Sequence, residues 1–153
     1  GRVIGVDIEI RQHNRKAIEE HELSSYIDLV EGDSVAPETV SKVRQMIGNE
    51  GPVIVFLDGK HTKDHVAKEL EVYGQMVSVG SYIVAMDGIM GDLVGAPRSA
   101  EDWGWNNPTQ AAVEFVENNS CFRIEEPGMS FNEGVIEQRT PTYWPKAFIR
   151  RVS

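Results

Sequence analysis

The sequence contains one cysteine, Cys121, among its 153 residues. A single cysteine excludes an internal disulfide framework and any site built from several thiolates. We therefore assign Cys121 a packing role and expect a reducing, cytoplasmic location. The chain also lacks an apolar run near the roughly 20 residues that span a bilayer, and its first residues lack the layout of a signal peptide, so we expect no membrane partner.

Basic residues are scarce relative to acidic ones. The chain has 15 Lys and Arg against 24 Asp and Glu, which gives a formal charge of -9. This charge repels a phosphate backbone, so we expect no nucleic-acid partner. The length and the 41% hydrophobic content suit one globular domain over residues 1–153.

Short apolar runs rich in Val and Ile alternate with amphipathic stretches of helix length. This alternation predicts an α/β fold with a mostly parallel sheet. The run at 53–57 is uniformly apolar, which predicts a central strand. The predicted strands cover 3–8, 26–31, 53–57, 80–85, 122–124 and 147–149, and the predicted helices cover 14–21, 37–47, 65–73 and 108–118.

A glycine-rich turn after the first strand is missing. Nucleotide-binding sheets normally open with a strand that feeds a GxGxxG turn, and the nearest glycines here, Gly88, Gly91 and Gly95, follow a late strand with different spacing. We therefore expect a domain that is incomplete at its N-terminus and lacks the opening strand. The gap left in the sheet would favour self-association into a homo-oligomer.

Four aspartates follow predicted strands, namely Asp7, Asp33, Asp58 and Asp87. Ligands of an open parallel sheet bind beyond the carboxyl ends of its strands, so these positions are candidates for a site. Each also has a structural alternative, because Asp often caps turns and helices by accepting backbone N–H groups.

Asp58 and Asp87 follow strands that we expect to be neighbours. Two hard oxygen ligands at one edge suit Mg²⁺, and Asp92 is a possible additional ligand. His61 lies three residues after Asp58 and is placed to act as a general base on a hydroxyl polarised by the metal. His65 is the fallback base, or a zinc ligand in a metal-dependent hydrolase.

Asp7 suits a second role, because the two acceptor oxygens of a carboxylate match the two hydroxyls of a ribose, and Glu9 could share it. The long segment at 87–107 contains Trp103 and Trp105 without helical periodicity. Such segments are usually lids or binding loops, so the rings either cover an apolar or sugar-like acceptor or fasten the loop to the core.

Three short motifs occur in series: Val6-Asp7-Ile8-Glu9-Ile10-Arg11, Glu31-Gly32-Asp33-Ser34 and Leu57-Asp58-Gly59-Lys60-His61. Together they resemble the cephalosporin hydroxylase and rhamnosyl O-methyltransferase family over nearly the whole chain. The resemblance implies a Rossmann-type methyltransferase fold that binds S-adenosylmethionine, with Asp7 on the ribose and the Asp33-Ser34 segment near the adenine. It also implies a magnesium site at Asp58 and Asp87, with His61 as the base.

One position departs from the family pattern. Relatives have Glu-Asp where this sequence has Met86-Asp87, so one metal ligand is absent unless Asp92 or a water replaces it. The resulting hypothesis is Mg-assisted methyl transfer to a hydroxyl of a sugar or natural product, a small-molecule acceptor. The alternatives are a non-catalytic binding or assembly domain and a metal-dependent hydrolase.

Overall fold

The computed structural model describes residues 1–48, 51–125 and 142–153. The chain divides into two compact units, Gly1–Gly51 and Pro52–Ser153. Strands and helices alternate in both, so the α/β class is confirmed. The single domain over residues 1–153 stays a prediction. Within the described ranges, no helix combines the length and the apolar content needed to cross a membrane.

The first unit is a parallel strand pair with connecting helices. Its elements are β1 (Val3–Asp7), α1 (Gln12–Glu19), a short 3-10 turn (Ser24–Tyr26), β2 (Ile27–Glu31) and α2 (Pro37–Ile47). The register places Val3 opposite Ile27 and Asp7 opposite Glu31, so both strands end at the same edge.

Helix α2 shows why local sequence signals place some boundaries well. Pro37 occupies the first helical turn, where its missing N–H costs nothing, and Gly48 ends the helix with a φ of 60°. Thr39 and Val43 are buried on one face, in keeping with an amphipathic helix. The predicted helix at 37–47 is confirmed.

The second unit contains a four-stranded mixed sheet. Its regular elements are β3 (Val55–Leu57), α3 (Lys63–Gly74), β4 (Tyr82–Ala85), α4 (Pro108–Glu117), β5 (Phe122–Ile124) and β6 (Phe148–Arg151). The strand order is β3-β4-β6-β5, with β3 parallel to β4 and β6 antiparallel to both of its neighbours. Leu70, Ile83 and Ile149 are fully buried and form the centre of the core.

The position of β3 differs from the prediction. Among the described residues β3 is an edge strand, and Phe56 is 57% exposed. The predicted central position is therefore wrong for this structure. A uniformly apolar run indicates that a strand is hydrophobic, but it does not determine whether the strand has neighbours on both sides.

Candidate active site

The connection between β3 and α3 carries two of the candidate residues. Asp58 follows β3 directly, and His61 lies two residues before α3 begins at Lys63. The backbone N–H of Lys63 donates to Oδ1 of Asn106 at 2.8 Å. The first turn of a helix has N–H groups without partners inside the helix, and this bond satisfies one of them. Asn106, in the loop before residue 108, thus fixes the start of α3 and the neighbouring His61 segment.

Asp87 follows β4 in an unusual backbone conformation. Its φ of 59° and ψ of 23° lie in the left-handed region, which Asp adopts more readily than most residues. Just before it, the N–H of Met86 donates to the carbonyl of Leu57 at 3.1 Å and extends the β3–β4 pairing. Asp58 and Asp87 therefore lie just beyond the neighbouring ends of two paired strands.

The three side chains converge. His61 Nε2 lies 3.6 Å from Oδ2 of Asp87 and 3.9 Å from Oδ1 of Asp58. One donor atom from each residue lies within 4.8 Å of the other two. The side chain of His61 is 25% exposed, against 62% for Asp58 and 46% for Asp87, so the imidazole is the most enclosed member of an open cluster.

Other candidates lie outside this cluster. Asp92 is exposed at the end of the 3-10 turn Gly88–Asp92 and does not belong to the three-residue group, so its role as a ligand stays a prediction. His65 contacts Oε1 of the buried Glu69 at 3.4 Å, one turn along α3. The structure thus pairs the fallback base with Glu69 and not with the aspartates.

The ammonium group of Lys63 pairs with Glu114, which lies outside the cluster of Asp58, His61 and Asp87. Lys63 Nζ donates to Oε1 of Glu114 at 2.8 Å, and this bond raises the pKa of Lys63. The ion pair joins α3 to α4, whereas the carboxylates of Asp58 and Asp87 face His61.

Trp144 also contacts Asp87, and the sequence does not indicate this contact. Trp144 Nε1 donates to Oδ1 of Asp87 at 3.3 Å. The two residues are 57 positions apart, and nothing in the spacing around Trp144 connects it to the end of β4. The sequence does not indicate the buried Glu69 either, whose Oε1 would lie 3.6 Å from a Cβ added at Gly59 in the β3–α3 connection.

The predicted cofactor residues lie in the first unit. Oδ1 of Asp7 accepts from the N–H of Glu9 at 3.2 Å, and Oδ1 of Asp33 accepts from the N–H of Val35 at 3.1 Å. Both aspartates therefore stabilise local turns with one oxygen, as the structural alternative requires. Both are exposed, as is Glu9, while Ser34 is half-buried.

The loop at 88–107 is folded, not irregular. It contains two 3-10 turns, Gly88–Asp92 and Glu101–Gly104, and Asn107 both caps α4 through Gln110 and donates to the carbonyl of Trp103 at 2.7 Å. Trp103 is half-buried and Trp105 is 62% exposed. Backbone and amide contacts fasten the loop, which leaves the Trp105 ring at the surface.

Residues 1–152 match the model of one protein family, which is described as rhamnosyl O-methyltransferase/CmcI. The chain belongs to this family. The match extends over all three motifs and confirms the resemblance seen in the sequence. No curated protein sequence matches the chain.

The structure is similar to the MycE methyltransferase of the mycinamycin biosynthetic pathway, crystallised in complex with Mg and SAH. The TM-score is 0.55 at 17% sequence identity. The similarity covers 99% of this chain and 37% of the MycE chain, so the chain spans less than half the length of that protein. At this identity the similarity demonstrates the fold alone, and it confirms the predicted Rossmann-type fold.

The donor atoms of the cluster fit a magnesium ion, with one ligand fewer than the pattern of the rhamnosyl O-methyltransferase/CmcI family implies. Asp58 and Asp87 offer hard carboxylate oxygens, which Mg²⁺ prefers. Met86 precedes Asp87 and offers only a thioether, a soft and weak ligand. A cation held here would depend on two carboxylates and on water or substrate oxygens.

Proposed function

We propose that this protein transfers a methyl group from S-adenosylmethionine to a hydroxyl of a sugar or natural product, assisted by Mg²⁺. The observation that carries the proposal is the convergence of Asp58, His61 and Asp87 at the ends of two paired strands. In a chain of this family, two carboxylates beside an imidazole suit the deprotonation of a hydroxyl.

The proposed roles follow from the donor types. Asp58 and Asp87 would hold the cation, and His61 Nε2 would accept the proton that the acceptor hydroxyl loses. When bound, the cation polarises the hydroxyl, and the cofactor supplies the methyl group as a sulfonium substituent whose bonding electrons return to sulfur. The enclosed position of His61 suits a base, because partial exclusion of water strengthens its interaction with the hydroxyl.

The cofactor would use residues of the first unit. Asp7 and Glu9 would accept hydrogen bonds from the ribose hydroxyls, and Asp33 and Ser34 would lie near the adenine. Asp7 uses Oδ1 for the N–H of Glu9, and its exposed carboxylate keeps acceptor capacity at the second oxygen.

The acceptor would be a small molecule that contacts the loop at 88–107. An exposed indole such as Trp105 presents a large apolar surface that suits a sugar ring or an apolar scaffold. The charge of -9 argues against a nucleic-acid partner, and the single cysteine suits a cytoplasmic protein. The exposed edge strand β3 would favour a homo-oligomer.

Calorimetric titration of S-adenosylmethionine, with and without Mg²⁺, tests the cofactor and the metal together. Saturable binding that Mg²⁺ and an acceptor strengthen would support the proposal. A folded protein that binds neither would favour a non-catalytic binding domain, and hydrolysis of a substrate without a methyl donor would favour a metal-dependent hydrolase.

The variant Asp58→Ala provides the mechanistic test. It should abolish methyl transfer while the protein stays folded, because the side chain of Asp58 is largely exposed. Unchanged activity in this variant would rule out the proposed role of the metal. Asp92→Ala, measured in parallel, shows whether Asp92 compensates for the ligand that Met86 does not supply.

A further inference from the structure

We propose that Trp144 is a positioning residue of the cation site: its indole N–H holds Oδ1 of Asp87 and so directs Oδ2 toward the cation and His61. The inference rests on the proposed function, because it concerns the same cation site. It assigns a role to a residue 57 positions away from the aspartate that it contacts.

The two oxygens of Asp87 have different partners. Oδ1 accepts from Trp144 Nε1 at 3.3 Å, whereas Oδ2 faces His61 Nε2 at 3.6 Å. Indole can only donate a hydrogen bond, and it carries no charge. It therefore fixes the rotation of the carboxylate without competing for a metal or neutralising the negative charge.

The segment that carries Trp144 is fastened to the turn after Asp87. The N–H of Ile89 donates to the carbonyl of Tyr143 at 3.1 Å, and Thr109 Oγ1 donates to the carbonyl of Pro145 at 2.9 Å. These bonds lie on either side of Trp144. The backbone of Trp144 itself donates to Thr142 Oγ1 at 3.0 Å, so the indole approaches Asp87 from a fixed frame.

The backbone of Asp87 is also fixed, which makes the side-chain rotation the remaining variable. Asp87 lies in the left-handed region, and its carbonyl accepts from the N–H of Met90 at 3.2 Å. Because Met86 supplies no carboxylate, the site depends more on the orientation of Asp87 than a site with three acidic ligands would. Hydrogen bonds to ligating carboxylates commonly change metal affinity about 10–100-fold.

The variant Trp144→Phe removes the N–H and keeps an aromatic ring beside Phe148, whose ring centroid lies 6.4 Å from that of Trp144. The probe is Mn²⁺, and the measurement is its dissociation constant by electron paramagnetic resonance of the free ion, with Mg²⁺ as competitor. We expect binding about 10–100-fold weaker than wild type, with an unchanged unfolding midpoint. Equal affinity in Trp144→Phe and wild type would overturn the inference.

Two control variants separate this inference from the proposed function. Phe148→Leu removes the neighbouring ring but not the N–H, and it should bind Mn²⁺ like wild type; a loss equal to that of Trp144→Phe would show that packing alone matters and would overturn the inference. Asp58→Ala should bind no Mn²⁺. If wild type binds no Mn²⁺, or if Asp58→Ala binds it normally, the proposed cation site fails and the inference fails with it.

A measurement on the wild type covers the case in which Trp144→Phe does not fold. The chain contains three tryptophans, so its spectrum has three indole N–H resonances. Saturation with Mg²⁺ should shift the ¹H–¹⁵N resonance of Trp144, while that of the exposed Trp105 should move much less. A Trp144 resonance that ignores saturating Mg²⁺ would overturn the inference.

Discussion

Arg150 on β6 donates from one guanidinium nitrogen to both carboxylate oxygens of Glu125, at 3.2 Å each. Arg123 on β5 donates to the same carboxylate at 2.8 and 3.1 Å. The hydrogen bond from Arg123, followed by that from Arg150, lowers the pKa of Glu125. One carboxylate thus joins side chains from the two antiparallel strands that close the sheet.

The lowered pKa predicts a pH dependence of stability. A carboxylate whose pKa is lower in the folded state stabilises the protein above its unfolded pKa, and the contribution is lost as the pH falls through the folded pKa. The variant Glu125→Gln should therefore be less stable than wild type at pH 7, and the difference should shrink as the pH falls below about 4. Urea unfolding from pH 7 to pH 3 measures it.

The control is Glu117→Gln at the exposed end of α4, which removes one negative charge without removing this pair of arginine contacts. If the stability difference between Glu125→Gln and wild type stays constant over the whole pH range, the carboxylate does not contribute through its charge.

Replacing His61 should impair the chemical step. The variant His61→Gln keeps a polar side chain but cannot accept a proton at neutral pH, so kcat should fall about 10²–10⁴-fold while S-adenosylmethionine binding stays unchanged. The measurement is methyl transfer to an acceptor found by screening hydroxylated compounds. His65→Gln is the matched control, since His65 contacts Glu69. A larger loss in His65→Gln than in His61→Gln would assign the base to His65.

Gly88 has no room for a side chain. A Cβ at this position would lie 2.1 Å from Thr109 Oγ1 and 3.2 Å from the carbonyl oxygen of Pro145. The variant Gly88→Ala should lower the free energy of unfolding by about 1–3 kcal/mol, because the Thr109 side chain, which donates to the carbonyl of Pro145, must move. Gly104→Ala is the control: its Cβ would meet Val94 at 3.6 Å, an ordinary contact, and should change stability by less than about 0.5 kcal/mol. Equal effects of the two variants would contradict the steric argument.

Trp105 should contribute to acceptor binding and little to folding. The variant Trp105→Ala should raise KM for the acceptor about tenfold, equivalent to about 1.4 kcal/mol of lost contact. Because the side chain is mostly exposed, the unfolding free energy should change by less than about 0.5 kcal/mol. Tyr26 is also an exposed aromatic residue, but it lies in the first unit. The variant Tyr26→Ala therefore controls for the loss of an exposed ring elsewhere on the protein. Unchanged KM in Trp105→Ala would assign the ring a role other than acceptor contact.

The sequence predicts the parts of this structure that depend on local signals. Pro37 and Gly48 mark both ends of α2, and they do so through backbone properties of single residues. The rule that ligand residues follow parallel strands predicts that Asp58 and Asp87 lie together, as they do in the structure. The sequence also predicts that His61 belongs to this site, because it lies three residues after Asp58.

Other features depend on contacts that the sequence does not encode locally. The hydrogen bond from Trp144 to Asp87 requires β6 to lie beside β4, and strand order is a property of the whole sheet. The edge position of β3 has the same origin, since hydrophobicity measures the run itself and not its neighbours. The left-handed conformation of Asp87 was not predictable, because no glycine occupies this position to indicate a positive φ.

The insertion of β6 between β4 and β5 also determines when the protein can fold. In the described sheet β4 and β5 do not pair with each other, and each pairs with the strand nearest the end of the sequence. During synthesis the ribosome must therefore release residues 148–151 before β5 gains its sheet partner. Such pairing between distant segments slows folding, so β4 and β5 keep unpaired edges in the nascent second unit until β6 emerges.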